Sequence, residues 1–349
     1  MLVYIIGWCG MFGTAVYWLT TGRISRASLY CIVVYCCLLA CLRGNTGTDT
    51  EMYQNIFTAV QLGNIEWTVE SGFVLVAQLI MDAGFSPEAT VRGISVVFFA
   101  LIAVYATRAT VAETWILLTF ILPVFAYQYS MNGLRIGLAS ALLLLCTQEI
   151  RRGRSSFTLL WLIAPVAIHL STFVSGVYLA ATRLARSGLG AVVASVLAAA
   201  SMLVLWHAAG SYLLDKQAVY EAMASPSEVS GVGRVIVIGV LIVGVSVSSL
   251  ARVEKALIVL PAILLTAVAW FIARSSFAGL RFLDLISFVL PLAACIALES
   301  RPFFSEKKLV AAVFIAGVIG ATATARNFAT EAGEGDSPFV PYQLWSTKL

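Results

Sequence analysis

Ten apolar runs dominate this chain, and they leave it little to become except a bundle of helices in lipid. They span 2–19, 28–42, 90–107, 112–128, 133–149, 189–207, 232–250, 256–273, 281–298 and 308–326. A membrane-crossing helix needs about 20 predominantly apolar residues. Inside hydrocarbon every backbone N–H and C=O must be bonded within the protein, which favours helices over open strands. The polar gaps are short, so no soluble domain is expected and residues 1–349 read as one integral membrane domain. Of the 349 residues, 60% are hydrophobic and 11% charged, against about 25% charged in an ordinary soluble domain. The net charge of +4 is small and dispersed, and no nucleic-acid partner is expected. The run from Leu2 to Leu19 has no basic leader and no small-residue cleavage site before Arg23, so it reads as a retained membrane helix. All seven cysteines sit in apolar runs with no CxxC pair near a histidine. They read as inert buried thiols, and neither a metal nor a cofactor is expected.

Two segments resist a simple reading. Residues 68–84 carry Glu70, Gln78 and Asp82 and suit a helix along the membrane surface or dipping into it. Residues 157–182 suit either one tilted span or two half-length helices meeting near His169, because Pro165 removes a backbone donor. Basic loops favour the cytoplasmic side. Arg23 with Arg26, Arg151–Arg152–Arg154, Arg183 with Arg186, Arg252 with Lys255, and Arg301 with Lys307 and Lys308 share one side only if 68–84 does not cross and 157–182 turns back. The result is an all-α polytopic protein of about 10–12 transmembrane helices, with a re-entrant or broken helix near His169 and both termini outside. Residues 43–89 then form an extracytoplasmic loop with a possible interfacial helix, and 327–349 an extracytoplasmic tail.

That topology places the residues able to do chemistry on one face. Arg135 opens an apolar helix after Asn132–Gly133. It either snorkels to the interface or grips a diphosphate with its bidentate fork. Arg281 repeats the pattern, with Asp284 three residues on as a helical partner. His169 is one of two histidines; the other, His207, is read as structural. His169 is either a satisfied structural residue or a proton carrier lining a cavity at a helix break. Asp49, among Gly47, Thr48 and Thr50, suits a base, the N-cap of a helix starting near Glu51, or both. Arg43 can pair with Asp49 or bind phosphate, and Arg274 lies on the same side.

Five short motifs keep one order along the chain. They are Arg43 with Gly47–Thr48–Asp49 and Tyr53; Asn132–Gly133–Leu134–Arg135; Ile168–His169–Leu170–Ser171; Gly279–Leu280–Arg281–Phe282; and Pro341–Tyr342. In this the chain resembles the EpsG family, a group of Wzy-type, O-antigen-polymerase-like bacterial membrane proteins. It departs in having Thr50 after the aspartate and glycine at 137. The resemblance implies a GT-C-like all-helical glycosyltransferase at the outer face of the bacterial inner (cytoplasmic) membrane. Such an enzyme transfers a growing glycan from undecaprenyl diphosphate to the non-reducing end of another lipid-linked repeat unit. A separate chain-length regulator is implied as a partner, beside the lipid-linked oligosaccharide and the membrane lipid. Arg135 and Arg281, supported by Arg43 and Arg274, would hold the diphosphate. Asp49 or His169 would serve as the base, and Tyr53 and Trp67 would stack on sugar rings. A flippase of the same lipid-linked unit, a glycan ligase and a purely structural subunit are the competing readings.

Overall fold

The structure, a computed structural model, describes residues 1–64, 69–152, 163–184, 196, 200, 231–274, 276–298, 303–335 and 337–345. Trp67, Arg154, Arg186, Arg301 and His207 lie outside them, as does most of the expected helix at 189–207. The described helices are α1 (Leu2–Thr21), α2 (Arg26–Cys41), α3 (Thr50–Gln61), α4 (Ser71–Asp82), α5 (Pro87–Arg108) and α6 (Val111–Met131). They continue with α7 (Leu134–Arg152), α8 (Thr172–Leu184), α9 (Val232–Ser246), α10 (Arg252–Ala273), α11 (Phe277–Ala297) and α12 (Lys307–Thr330). Among the described residues six helices, α1, α5, α6, α10, α11 and α12, are long and apolar enough to cross a membrane. The chain is a polytopic all-helical membrane protein.

The helix ends follow local chemistry. Ser25 and Ser86 accept backbone N–H bonds at the heads of α2 and α5, and Pro87 occupies the first turn of α5, where its missing donor does no harm. Thr110 and Glu113 close a capping box on α6. α3 and α4 have 12 residues each. At 1.5 Å per residue such a helix is about 18 Å long, short of the ~30 Å hydrocarbon core. By itself neither helix reaches across that thickness.

α6 is the hub. It is buried almost throughout and packs against α1, α2, α5, α7 and α12. Its Leu117–Ile121 turn is π-helical, with the Leu122 N–H bonded to the Leu117 carbonyl. Pro123 follows and has no N–H to offer the preceding turn; the wider turn absorbs that defect. The Pro123 carbonyl accepts the Trp8 indole N–H at 2.8 Å. α7, beside α6, is buried on every face, although it carries Arg135 and Glu149.

The two ends of the bundle differ in chemistry. At one end Trp18, Trp115 and Phe304 meet edge to face, and Arg151 pairs with Glu113 at 3.1 Å. Arg23, Arg26, Arg108, Arg151, Arg152, Arg252, Lys255, Lys307 and Lys308 all belong to helix termini of this end. The other end gathers the heads of α7 and α11, the short helices α3 and α4, and residues 337–345. It carries Asp49, Glu51, Glu70, Asp82, Glu88, Asp284, Glu331 and Glu334 together with Arg43, Arg92, Arg135, Arg234, Arg274, Arg281 and Arg326, so its charges are mixed.

Candidate active site

The site grows out of three chain breaks at this mixed-charge end. The first lies between α6 and α7. Asn132 ends α6, and its side-chain oxygen accepts both the Thr48 hydroxyl and the Asp49 N–H, each at 2.8 Å. This ties the 43–49 loop to the head of α7. Gly47, at φ +104°, permits the approach, since a Cβ there would overlap the Met131 carbonyl. Asp49 stands at the N-cap of α3, yet its side chain makes no capping bond. Its carboxylate is thus not spent on the helix, and its electrostatic neighbours are Arg281 and Arg135.

The second break precedes α4. Glu70 is its N-cap residue, with the carboxylate turned away from the helix. Gly72 lets α4 press on the turn before His169; a Cβ there would meet the Ala167 carbonyl at 2.6 Å.

The third break is at His169. Residues 163–168 are helical, the helix stops there, and α8 begins at Thr172. The His169 carbonyl accepts both the N–H (3.0 Å) and the hydroxyl (2.7 Å) of Thr172, so the break leaves that backbone group satisfied. The broken helix expected near His169 is present.

These breaks converge on one carboxylate. Glu70 Oε2 accepts Arg135 Nη1 at 2.8 Å, and Glu70 Oε1 lies 3.0 Å from His169 Nδ1. Arg135 and His169 side chains are both 7% exposed and Glu70 18%, so the cluster is nearly dry and its electrostatics are strong. The Tyr53 hydroxyl also reaches Arg135, while Arg281 on α11 faces Asp49, His169 and Tyr53. Burial works against the Glu70 charge, but the His169 bond and the Arg135 guanidinium outweigh it and hold the carboxyl far below its usual range. Burial pushes the Asp49 carboxyl the other way, upward, with Arg281 and Arg135 opposing in part.

Sequence reasoning placed Asp49, Arg135, His169 and Arg281 on one face, and the structure brings these four together. It places the others elsewhere. Arg43 is fully buried, donates to the Ser130 carbonyl at 2.6 Å, and does not pair with Asp49. Its backbone bridges to Leu344 and its neighbours bond to 343–345, so it belongs to the packing of the tail. The Tyr53 ring is 2% exposed and lies against Phe57 and Phe73, with no face left for a sugar. Arg274 is exposed, with its guanidinium over the Trp270 ring. Asp284, expected beside Arg281, instead pairs with Arg234 of α9 at 2.5 Å. Glu70 was read only as a polar residue of an interfacial segment. Its position at the head of an apolar helix is the signal that marks it, because a carboxylate there needs a cationic partner.

No curated protein and no solved structure matches the chain. The model of the EpsG family matches residues 26–344, from the start of α2 into the tail and across every residue of the cluster. The chain therefore belongs to the EpsG family, which is associated with Wzy-type polysaccharide polymerases.

Proposed function

We propose that this protein is a membrane glycosyltransferase that polymerises lipid-linked oligosaccharide. The growing glycan leaves undecaprenyl diphosphate and is joined to the non-reducing end of a second lipid-linked unit. The carrying observation is the buried Arg135–Glu70–His169 cluster, with Asp49 and Arg281 as its electrostatic neighbours at one end of the bundle. Charge develops on the leaving diphosphate as the glycosidic bond breaks. Fixed cations in a dry site stabilise that charge with little reorganisation, and Arg281 and Arg135 are the cations in place. The acceptor hydroxyl must lose a proton at the same centre, which calls for a base beside them.

The charge distribution supports the membrane side. The described lysines, Lys255, Lys307 and Lys308, all lie at the end away from the site beside Arg23, Arg26, Arg108, Arg151, Arg152 and Arg252, whereas the arginines of the site end stand among carboxylates; cytoplasmic ends are the ones that collect arginine and lysine. The site then faces outward, in the bacterial inner membrane, where flipped lipid-linked units reside. The test is reconstitution in proteoliposomes. The substrate is lipid-linked repeat unit extracted from the source strain after deletion of this gene. A glycan ladder is expected from wild type, and strong loss of it from Arg281→Ala. Movement of the unit between leaflets without a ladder would show a flippase instead.

A further inference from the structure

One buried polar atom in the cluster has no partner among the described residues. Among the described residues His169 Nε2, which is buried, bonds to nothing, whereas Nδ1 is fixed on Glu70. A buried imidazole nitrogen left unpaired carries a desolvation cost, which a ligand in contact with it would relieve. Both Glu70 oxygens are already engaged. Because Arg135 neutralises the carboxylate, His169 can donate from Nδ1 as a neutral ring. That tautomer leaves a lone pair on Nε2.

We propose, on the reading of the site given above, that Glu70 and His169 form the proton-accepting pair of the transfer. His169 Nε2 is the base for the acceptor hydroxyl and Glu70 the positioning residue that fixes its tautomer. The acceptor oxygen forms its bond to the anomeric carbon, and its proton passes to Nε2. The bond from that carbon to the diphosphate breaks, and the electron pair leaves with the lipid diphosphate. The charged groups facing His169 are Glu70 at the head of α4, Arg135 on α7 and Arg281 on α11. Asp49 sits across Arg281 and Arg135, placed to hold the incoming sugar.

The chain has two histidines, so nitrogen-15 NMR of the histidine-labelled protein in nanodiscs reads the pair directly, with His207→Gln assigning the signals. At neutral pH, His169 is expected to carry its proton on Nδ1 and none on Nε2, and Glu70→Gln to shift the proton toward Nε2. In the ladder assay with the same extracted substrate, the acid limb of the rate profile is expected to follow His169 protonation. Glu70→Gln should move that limb to lower pH and slow the reaction on the order of 100-fold. Glu70→Asp should restore part of both, and Asp49→Asn should leave the limb in place. His169→Asn keeps a donor toward Glu70 but has no base, so the fold should hold while the ladder disappears. A purely structural Glu70 would lower the whole profile without moving its limb. A wild-type His169 protonated on Nε2, or a limb that moves with Asp49→Asn and not with Glu70→Gln, would overturn the assignment. Wild-type protein giving no ladder would overturn the polymerase reading and the base with it. A ladder accompanied by the wrong tautomer would overturn the base alone.

Discussion

At the residue scale, Glu70 holds two partners with one carboxylate, and its loss should be felt beyond chemistry. Removing one member of a buried ion pair leaves the other charge uncompensated, at a cost of roughly 3–5 kcal/mol. Glu70→Gln is therefore expected to lower the unfolding temperature, as measured by intrinsic fluorescence in detergent. The pH dependence has a definite sign. The folded carboxyl is held far below its ordinary value of 4.5. Its stabilisation is fully present above that unfolded value and is lost progressively as pH falls beneath it. Wild type should lose thermal stability on acidification below that point, and Glu70→Gln should show a shallower loss. Asp49 behaves oppositely. Its folded carboxyl is raised by burial, so its ionised form weighs against the fold at neutral pH. Asp49→Asn should be at least as stable as wild type at pH near 7, while ladder formation falls. A charge kept at a cost to the fold fits a functional residue.

At the element scale, the site depends on short pieces docking at close range. Gly72→Val would force α4 away from Ala167. Overpacking of this kind costs about 1–3 kcal/mol, and here it would also separate Glu70 from His169. The expected result is a folded protein with a weakened ladder and altered His169 nitrogen signals. Residues 337–345 act as a strap over the 43–49 loop. Ser337 donates to the Gly47 carbonyl at 2.7 Å, Gly44 N–H to Gln343, Trp345 N–H to Leu42, and Arg92 stacks on the Trp345 ring. Truncation before Ser337 should uncover Arg43, lower thermal stability and abolish the ladder, as electrophoresis of the glycan would show. Much of this was legible from residue patterns: lipid as solvent makes each spanning helix visible as an apolar run, and Pro165 announced the break at His169. The pairings were not. Glu70 reaches partners 65 and 99 positions away, and no local periodicity records such a distance. For the same reason Asp284 looked like a partner of Arg281 three residues off, when its ion pair crosses to α9.

At the scale of the whole molecule, the segregation of charge is itself testable. Cysteines placed in a cysteine-free background at Glu334 and at Ser25 lie at opposite ends of the bundle. A membrane-impermeant maleimide applied to intact spheroplasts should label the first and spare the second. The reverse pattern would turn the site toward the cytoplasm and away from flipped lipid-linked units. In the structure the described lysines gather at the end away from the site, and the buried helices α6 and α7 join the two ends.

The strap also sets an order in time. The 43–49 loop is made early in synthesis, but its backbone partners at 343–345 are nearly three hundred residues downstream (Thr46 to Gln343 is a separation of 297). During insertion the loop can bond to Asn132 but must wait for its partners in the tail while the later helices enter the lipid. A nascent chain therefore has Asn132 to tie Thr48 and Asp49 to the head of α7 long before residues 343–345 cover Arg43 and Gly44. Chains ended before the tail should therefore keep the Asn132 contact but leave Arg43 uncovered, which makes closing the strap the last step in building this end of the bundle.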